Sequence, residues 1–163
     1  MKQKNLSLIY FSPTGNTKKV VEAVGAGLGT VTKAYDLTLV KGRAAALAFG
    51  PEDVVVLGVP VYAGRIPELM AAWMSKLQGR GAQAVPVVVY GNRDYEDALI
   101  ELRDLMTASG FQCVAGGAFV GEHSYTELVG TGRPDVEDLD GAKAFGRKAL
   151  VYINSGMASG GQM

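Results

Sequence analysis

Cysteine and histidine are nearly missing from this sequence: Cys113 and His123 are the only ones. A single thiol excludes an internal disulfide, a CxxC redox pair and any iron–sulfur cluster ligated by cysteines of this chain. A single imidazole among scattered carboxylates is no basis for a metal site. Long apolar runs are missing too, since none approaches the roughly 20 residues that span a bilayer. Residues 1–5 carry basic side chains but lead straight into a short apolar segment with no small-residue cleavage site, so no signal peptide is expected. A cytoplasmic setting follows as the expectation, without nucleic acid as a partner. Net charge is also absent, because 16 Lys and Arg balance 16 Asp and Glu.

What is present is a globular balance of 48% hydrophobic and 20% charged residues over 163 positions, enough for one domain with a full core. That domain is expected over residues 1–153, with a disordered glycine- and serine-rich tail at 154–163. The two signs of charge are unevenly spread. Residues 1–81 hold 10 Lys and Arg against 5 Asp and Glu, and residues 82–163 hold 6 against 11. Two readings of the acidic half stay open, solvated helix faces or a docking surface for a basic partner.

Apolar runs and helix-period stretches alternate along the chain. Residues 6–11 read as a strand buried on both faces, followed by a helix with Val20, Val21, Val24 and Leu28 on one side. Residues 31–37 read as a weaker edge strand, and the alanine-rich stretch 39–49 as a helix interrupted by Gly42. Residues 53–59 form the strongest strand. A helix opened by Pro67 carries Ile66, Leu69, Met70, Trp73, Met74 and Leu77 at steps of three and four. A fourth strand is expected at 85–90 and a fourth helix through Ala98, Leu99, Leu102 and Met106, stopped by Gly110. A fifth strand at 111–120 and a last helix capped by Asp135 and running to Ile153 complete the series. Five strands alternating with five helices specify an α/β fold, a doubly wound parallel sheet with helices on both faces.

The densest chemistry lies at Ser12, Pro13, Thr14, Gly15, Asn16 and Thr17, between the first strand and the first helix. A turn at that place aims main-chain N–H groups and the positive end of a helix dipole into one concavity, which suits an anion. Pro13 has no N–H, which leaves the donors of Thr14, Gly15, Asn16 and Thr17 and the hydroxyls of Ser12, Thr14 and Thr17. Gly15 removes a side chain where a phosphate would approach. On these residues alone, a polar turn that merely caps a helix stays open. A triphosphate loop needs Gly-Lys-Ser/Thr, whereas Lys18 follows Gly15 only after Asn16 and Thr17. A dinucleotide fingerprint is absent as well, because Gly25, Gly27 and Gly29 fall about two helical turns too late.

The turn resembles the phosphate loop of the flavodoxin family, Ser/Thr-x-Thr-Gly-x-Thr, with each specified position met at Ser12, Thr14, Gly15 and Thr17. The likeness covers residues 6–153. It implies that the turn holds the 5′-phosphate of flavin mononucleotide (FMN), and that the sheet has the order 2-1-3-4-5 with the ligand beyond the carboxyl ends of strands one and three. The loop Pro60, Val61, Tyr62, Ala63 and Gly64 then corresponds to the loop that offers an aromatic face and a reorienting peptide to the flavin ring. By this carry-over Tyr62 stacks and the Ala63–Gly64 peptide meets N5. A surface tyrosine beside a flexible turn is the other reading.

The stretch from Tyr90 to Ala98 resembles Tyr-Gly-Asn-Arg-x-Tyr-x-Asp-Ala, a second flavin loop of some flavodoxin domains. It implies that Gly91 and Asn92 read the pyrimidine edge and that Tyr95 covers the second face, although the register of Tyr95 with Ala98 and Leu99 equally suits a core-edge residue. Arg93 is a candidate to stabilise negative charge near N1, or a surface arginine. With Gly132 to Asp135, this loop is similar to the flavodoxin half of fused flavodoxin and ferredoxin proteins. No cysteine-rich segment follows here, so a cluster would belong to another polypeptide, a ferredoxin-type protein or a reductase. His123 is a surface residue or a proton donor to a two-electron reaction. Cys113 and Trp73 read as core.

Two other functions on this architecture fail on residues. Acidic side chains required after strand one by a receiver domain are absent at Phe11 and Ser12, and a cysteine phosphatase loop would need the thiol about a hundred residues before Cys113. The expected function is an FMN-binding electron-transfer protein. A flavin-dependent reductase of a quinone or other small acceptor, and a docking module without flavin, are the alternatives. The neutral chain departs from the acidic composition common among flavodoxin carriers.

Overall fold

The computed structural model describes residues 4–91, 95–121 and 134–155, without the side chain of Glu96. The elements are β1 (Asn5–Tyr10), α1 (Asn16–Leu28), β2 (Lys33–Asp36), β3 (Leu47–Ala48), β4 (Asp53–Pro60), α2 (Glu68–Trp73), β5 (Leu77–Gln78), β6 (Gln83–Tyr90), α3 (Glu96–Ala108), β7 (Gln112–Cys113), β8 (Gly117–Val120) and α4 (Val136–Ser155), with 3-10 turns at Val40–Arg43 and Met74–Lys76. The main sheet is parallel in the spatial order β2-β1-β4-β6, and β7 and β8 both pair with the far edge of β6. β7 meets Gln83 and Ala84, whereas β8 meets Val87 to Tyr90. They are two pieces of one edge strand, so the expected order 2-1-3-4-5 holds with its fifth member divided.

Alternation along the central strands separates two cores. Ile9, Leu57 and Val88 face α2 and α3, where Met70, Trp73, Leu102 and Met106 are buried. Leu8, Val56 and Val87 face α1 and α4, which bury Val20, Val24, Ala142 and Ala149. Each of the larger side chains, Val, Leu, Ile or Met, contributes roughly 1.5–3 kcal/mol on burial, so these faces and not the polar turns hold the layers together. The helices α1 and α4 approach to backbone contact: a Cβ on Gly27 would lie 2.0 Å from the Lys143 carbonyl oxygen, and one on Gly146 2.2 Å from that of Val24.

Three expectations need correction. Residues 39–49 are not a helix. Gly42 packs so tightly on the end of β2 that a Cβ would lie 2.0 Å from the Asp36 carbonyl oxygen, and the chain makes only a 3-10 turn before Leu47 and Ala48 pair with Leu77 and Gln78. Tertiary pairing thus overrides alanine propensity, and the described residues contain four α-helices rather than five. For the same reason α2 is short, and Leu77 leaves the helical pattern for β5. The last helix continues past Ile153 to Ser155. Its start is capped as expected from Asp135, whose Oδ1 accepts from the Asp138 N–H at 2.9 Å while Asp138 Oδ2 accepts from the Asp135 N–H at 2.9 Å.

Candidate functional site

Parallel strands deliver their connections to one edge of the sheet, and short main-chain bonds lock these connections side by side. Phe11 N–H donates to Gly58 O at 3.1 Å, Val61 N–H to Val89 O at 2.9 Å and Gly121 N–H to Tyr90 O at 2.7 Å. The turns after β1, β4, β6 and β8 therefore begin as neighbours.

In the turn after β1, Ser12 is the anchor. Its carbonyl accepts from the Gly15 N–H at 3.1 Å, its hydroxyl oxygen accepts from the Lys18 N–H at 2.9 Å, and its own N–H donates to Thr38 Oγ1 at 3.0 Å. Gly15 has φ 88°, a left-handed conformation that glycine adopts without strain, and α1 starts at the next residue. A Cβ on Gly15 would meet no atom within 4 Å, so backbone conformation rather than protein packing selects glycine there. The Asn16 N–H has only a 3.5 Å contact with Thr14 Oγ1. Among the described residues the N–H groups of Thr14 and Thr17 have no acceptor, and neither has the hydroxyl of Thr17 a partner although that residue is 2% exposed. Donors without acceptors, open space over Gly15 and a helix start fit a phosphate. Below, Gly58 makes room: a Cβ there would be 2.2 Å from Val21 Cγ2 and 3.2 Å from Thr17 Cγ2, so glycine lets the first turns of α1 rest on β4.

The turn after β4 is a two-residue hairpin. Tyr62 and Arg65 exchange main-chain bonds of 2.7 and 3.0 Å around Ala63 at φ 51° and Gly64 at φ 82°, the signature of a type I′ turn. Pro60 and Val61 are half-buried at its base, and Tyr62 is 45% exposed at its tip. One leg is tied to α3. Glu101 receives Arg65 Nε–H and Nη2–H at 3.0 and 2.7 Å and the Ile66 N–H at 3.2 Å. The Arg65 bond first, then the Ile66 amide against some desolvation, holds the Glu101 carboxyl below its ordinary pKa.

Gly91 is half-buried after β6, and the Tyr95 ring stacks on Tyr90 with centroids 4.5 Å apart and planes at 25°. Tyr95 also packs against the α2/α3 core and stands at the start of α3, in agreement with its core-edge role. Asn92, Arg93, His123 and residues 131–133 lie outside the described residues, as do 156–163. Cys113 is half-buried near Thr107, and burial pushes its thiol up, away from the reactive thiolate. Of the acidic residues in the second half, Glu101 pairs with Arg65, Asp104 with Arg103 at 3.0 Å, and Asp135 and Asp138 cap α4. Such local roles account for part of the acidic excess.

Sequence reasoning missed two supports, Thr38 behind Ser12 and Glu101 behind Arg65. Both are brought in from distant parts of the chain, 26 and 36 residues away. The one available signal was Asp36-Leu37-Thr38, a pattern in which Asp36 Oδ1 can accept from the Thr38 N–H, as it does at 2.9 Å.

A family model described as a flavodoxin domain matches residues 7–130. Solved structures with a similar fold include oxidised Flavodoxin 1 from Bacillus cereus, at 14% identity and TM-score 0.65, with 91% of this chain and 99% of that one covered. A WrbA-like flavodoxin from Agrobacterium tumefaciens is 20% identical with TM-score 0.59, covering 93% and 98%. A flavoprotein from Lactobacillus acidophilus in complex with FMN is 11% identical with TM-score 0.55, covering 71% and 93%. Among curated proteins no match was found.

Proposed function

Because the chain belongs to the flavodoxin domain family, a flavin-binding family, we propose that its flavin is FMN and that it serves as an electron-transfer protein. The observation that carries this reading is the turn at residues 12–17, where Thr14 and Thr17 hold main-chain donors without acceptors beside a left-handed Gly15. Bound FMN supplies reversible redox chemistry at its ring. The chain supplies the rest. Thr14, Asn16 and Thr17 bind the phosphate through N–H groups, Gly15, whose own N–H is spent on the Ser12 carbonyl, leaves it room to approach, and the hydroxyl protons of Ser12, Thr14 and Thr17 complete its shell. Ser12 keeps its proton to donate, since its oxygen already accepts from Lys18. Tyr62 lays its exposed ring on the flavin, and the Ala63–Gly64 peptide sits at N5. Gly91 and Asn92 read the pyrimidine edge, with Tyr95 supporting that side through its stack on Tyr90.

We assign the protein to the cytoplasm and its partner to the redox proteins, a ferredoxin-type protein or a reductase. Among the described residues no helix is long and apolar enough to cross a membrane. The test is a visible-absorbance titration with FMN of the wild type and of a Thr14→Ala, Thr17→Ala double variant. Two lost bonds to a charged group, each worth about 1.5 kcal/mol, weaken binding about 100-fold. A wild type that takes up no FMN sinks the proposal. Rapid direct oxidation of NAD(P)H with steady turnover of a quinone would replace the carrier by a reductase.

A further inference from the structure

The connection after β2 does more than cross the sheet edge. Of the three bonds that fix Ser12, two stay within the turn and α1, and only the third, Ser12 N–H to Thr38 Oγ1 at 3.0 Å, comes from elsewhere. Thr38 is itself held at both main-chain groups. Its N–H donates to Asp36 Oδ1 at 2.9 Å, and its carbonyl accepts from Arg43 Nη1 at 3.0 Å. The same nitrogen donates to Leu37 O at 2.6 Å, and the Leu37 N–H extends the β1–β2 ladder to Tyr10 O at 2.8 Å. Arg43 lies over the ring of Phe11, 5.8 Å from its centroid, and its own carbonyl accepts from Lys76 Nζ at 3.1 Å. The 3-10 turn that returns Arg43 to this position closes on Asp36 so tightly that Gly42 has no space for a side chain.

We propose that Thr38, braced by Asp36 and Arg43, is a positioning residue that presets the phosphate turn, an inference that rests on the FMN reading above. Ser12 is the fixed point from which Thr14, Gly15 and Thr17 are hung. With its N–H satisfied from outside, the turn keeps its donors converged before any ligand arrives, and binding does not have to order them. Removing the Thr38 hydroxyl leaves the Ser12 N–H without an acceptor and lets the turn move as a unit. The loss falls on recognition of the phosphate, because Thr38 reaches the site only through Ser12.

The test compares dissociation constants for FMN and for riboflavin, which lacks the phosphate, by flavin fluorescence quenching. Thr38→Val is expected to weaken FMN about tenfold with riboflavin unchanged within about twofold, and Thr38→Ser to restore the wild-type ratio. Arg43→Met, which touches neither Ser12 nor the turn after it, is expected to move the ratio the same way by about threefold. It adds little in the double variant, because both act through one strut. A Thr38→Val protein that keeps the wild-type FMN to riboflavin ratio overturns the inference, whether both affinities fall or neither does. Should that variant not fold, an Arg43→Met protein with an unchanged ratio overturns it equally. A wild type with no preference for FMN over riboflavin is a separate outcome that removes the phosphate reading, and the inference with it.

Discussion

The turns after β1 and β4 sit side by side, yet they are held in opposite ways. The first is fixed at its root and from behind: Ser12 is bonded to the turn, to α1 and to Thr38, and Gly58 brings α1 down on the sheet beneath it. The second is pinned along one leg by Glu101, while Tyr62 stands exposed at a tip where Ala63 is left-handed. The difference matches the chemistry each would meet. An anion of fixed shape rewards donors converged in advance, whereas a planar ring whose edge changes protonation rewards a tip that can adjust. Two turns that are neighbours at the end of the sheet, though far apart in the chain, are thus held by different supports.

The largest effect is expected where the two turns share a foundation. Gly58→Val puts carbon atoms where Val21 Cγ2 now lies, so α1 must lift from β4 at a cost of about 3 kcal/mol. Denaturant midpoints check this, with Gly50→Ala as the neutral control because its added Cβ meets no atom within 4 Å. Should Gly58→Val leave stability intact, the first turn does not depend on close seating of the helix.

A smaller effect separates the turns. Glu101→Gln loosens the Ile66 end of the second turn and leaves the first untouched, so the Ile66 amide is expected to exchange about fivefold faster while the Lys18 amide does not change. The clamp is also a pH device of known sign. The folded pKa of Glu101 lies below its unfolded value, so the clamp is complete above about pH 4.3 and is lost as pH falls through the lower, folded value. The contrast in exchange between wild type and Glu101→Gln should vanish in that acid range. A contrast that persists there assigns the effect to something other than the carboxylate.

The smallest effect relieves the tip. Asn tolerates the left-handed region better than Ala, and Ala63→Asn is expected to stabilise by about 0.5 kcal/mol. A thermal melt that shows Ala63→Asn to be destabilising would mean that the turn is not strained at that residue.

The layers and the donor-rich turn after β1 were legible because they repeat or are local. Strands buried on both faces appear as valine runs such as residues 54–59, and the hydroxyl-rich turn is contiguous from Ser12 to Thr17, so its donors can be counted from its letters. The stretch 39–49 misled because alanine content reports a local preference, while Gly42 against the Asp36 carbonyl and Leu47 against Leu77 are contacts between segments. Tyr95 was ambiguous because one register serves both a ring contact and a core edge, and its stack on Tyr90 is a matter of approach, not of sequence spacing.

By itself the sequence determined the alternation of strands and helices, the two-sided burial of the sheet and the hydroxyl-rich turn with a glycine at its left-handed residue. These follow from periodicity and from the chemistry of adjacent residues, which act over a few positions. Only the tertiary structure decided which distant residues hold that chemistry in place: Thr38 and Arg43 behind Ser12, Glu101 behind Arg65, and Gly58 under Thr17. Hydrogen bonds and van der Waals exclusion act over a few ångströms, so such partners exist only once the sheet has brought remote segments together.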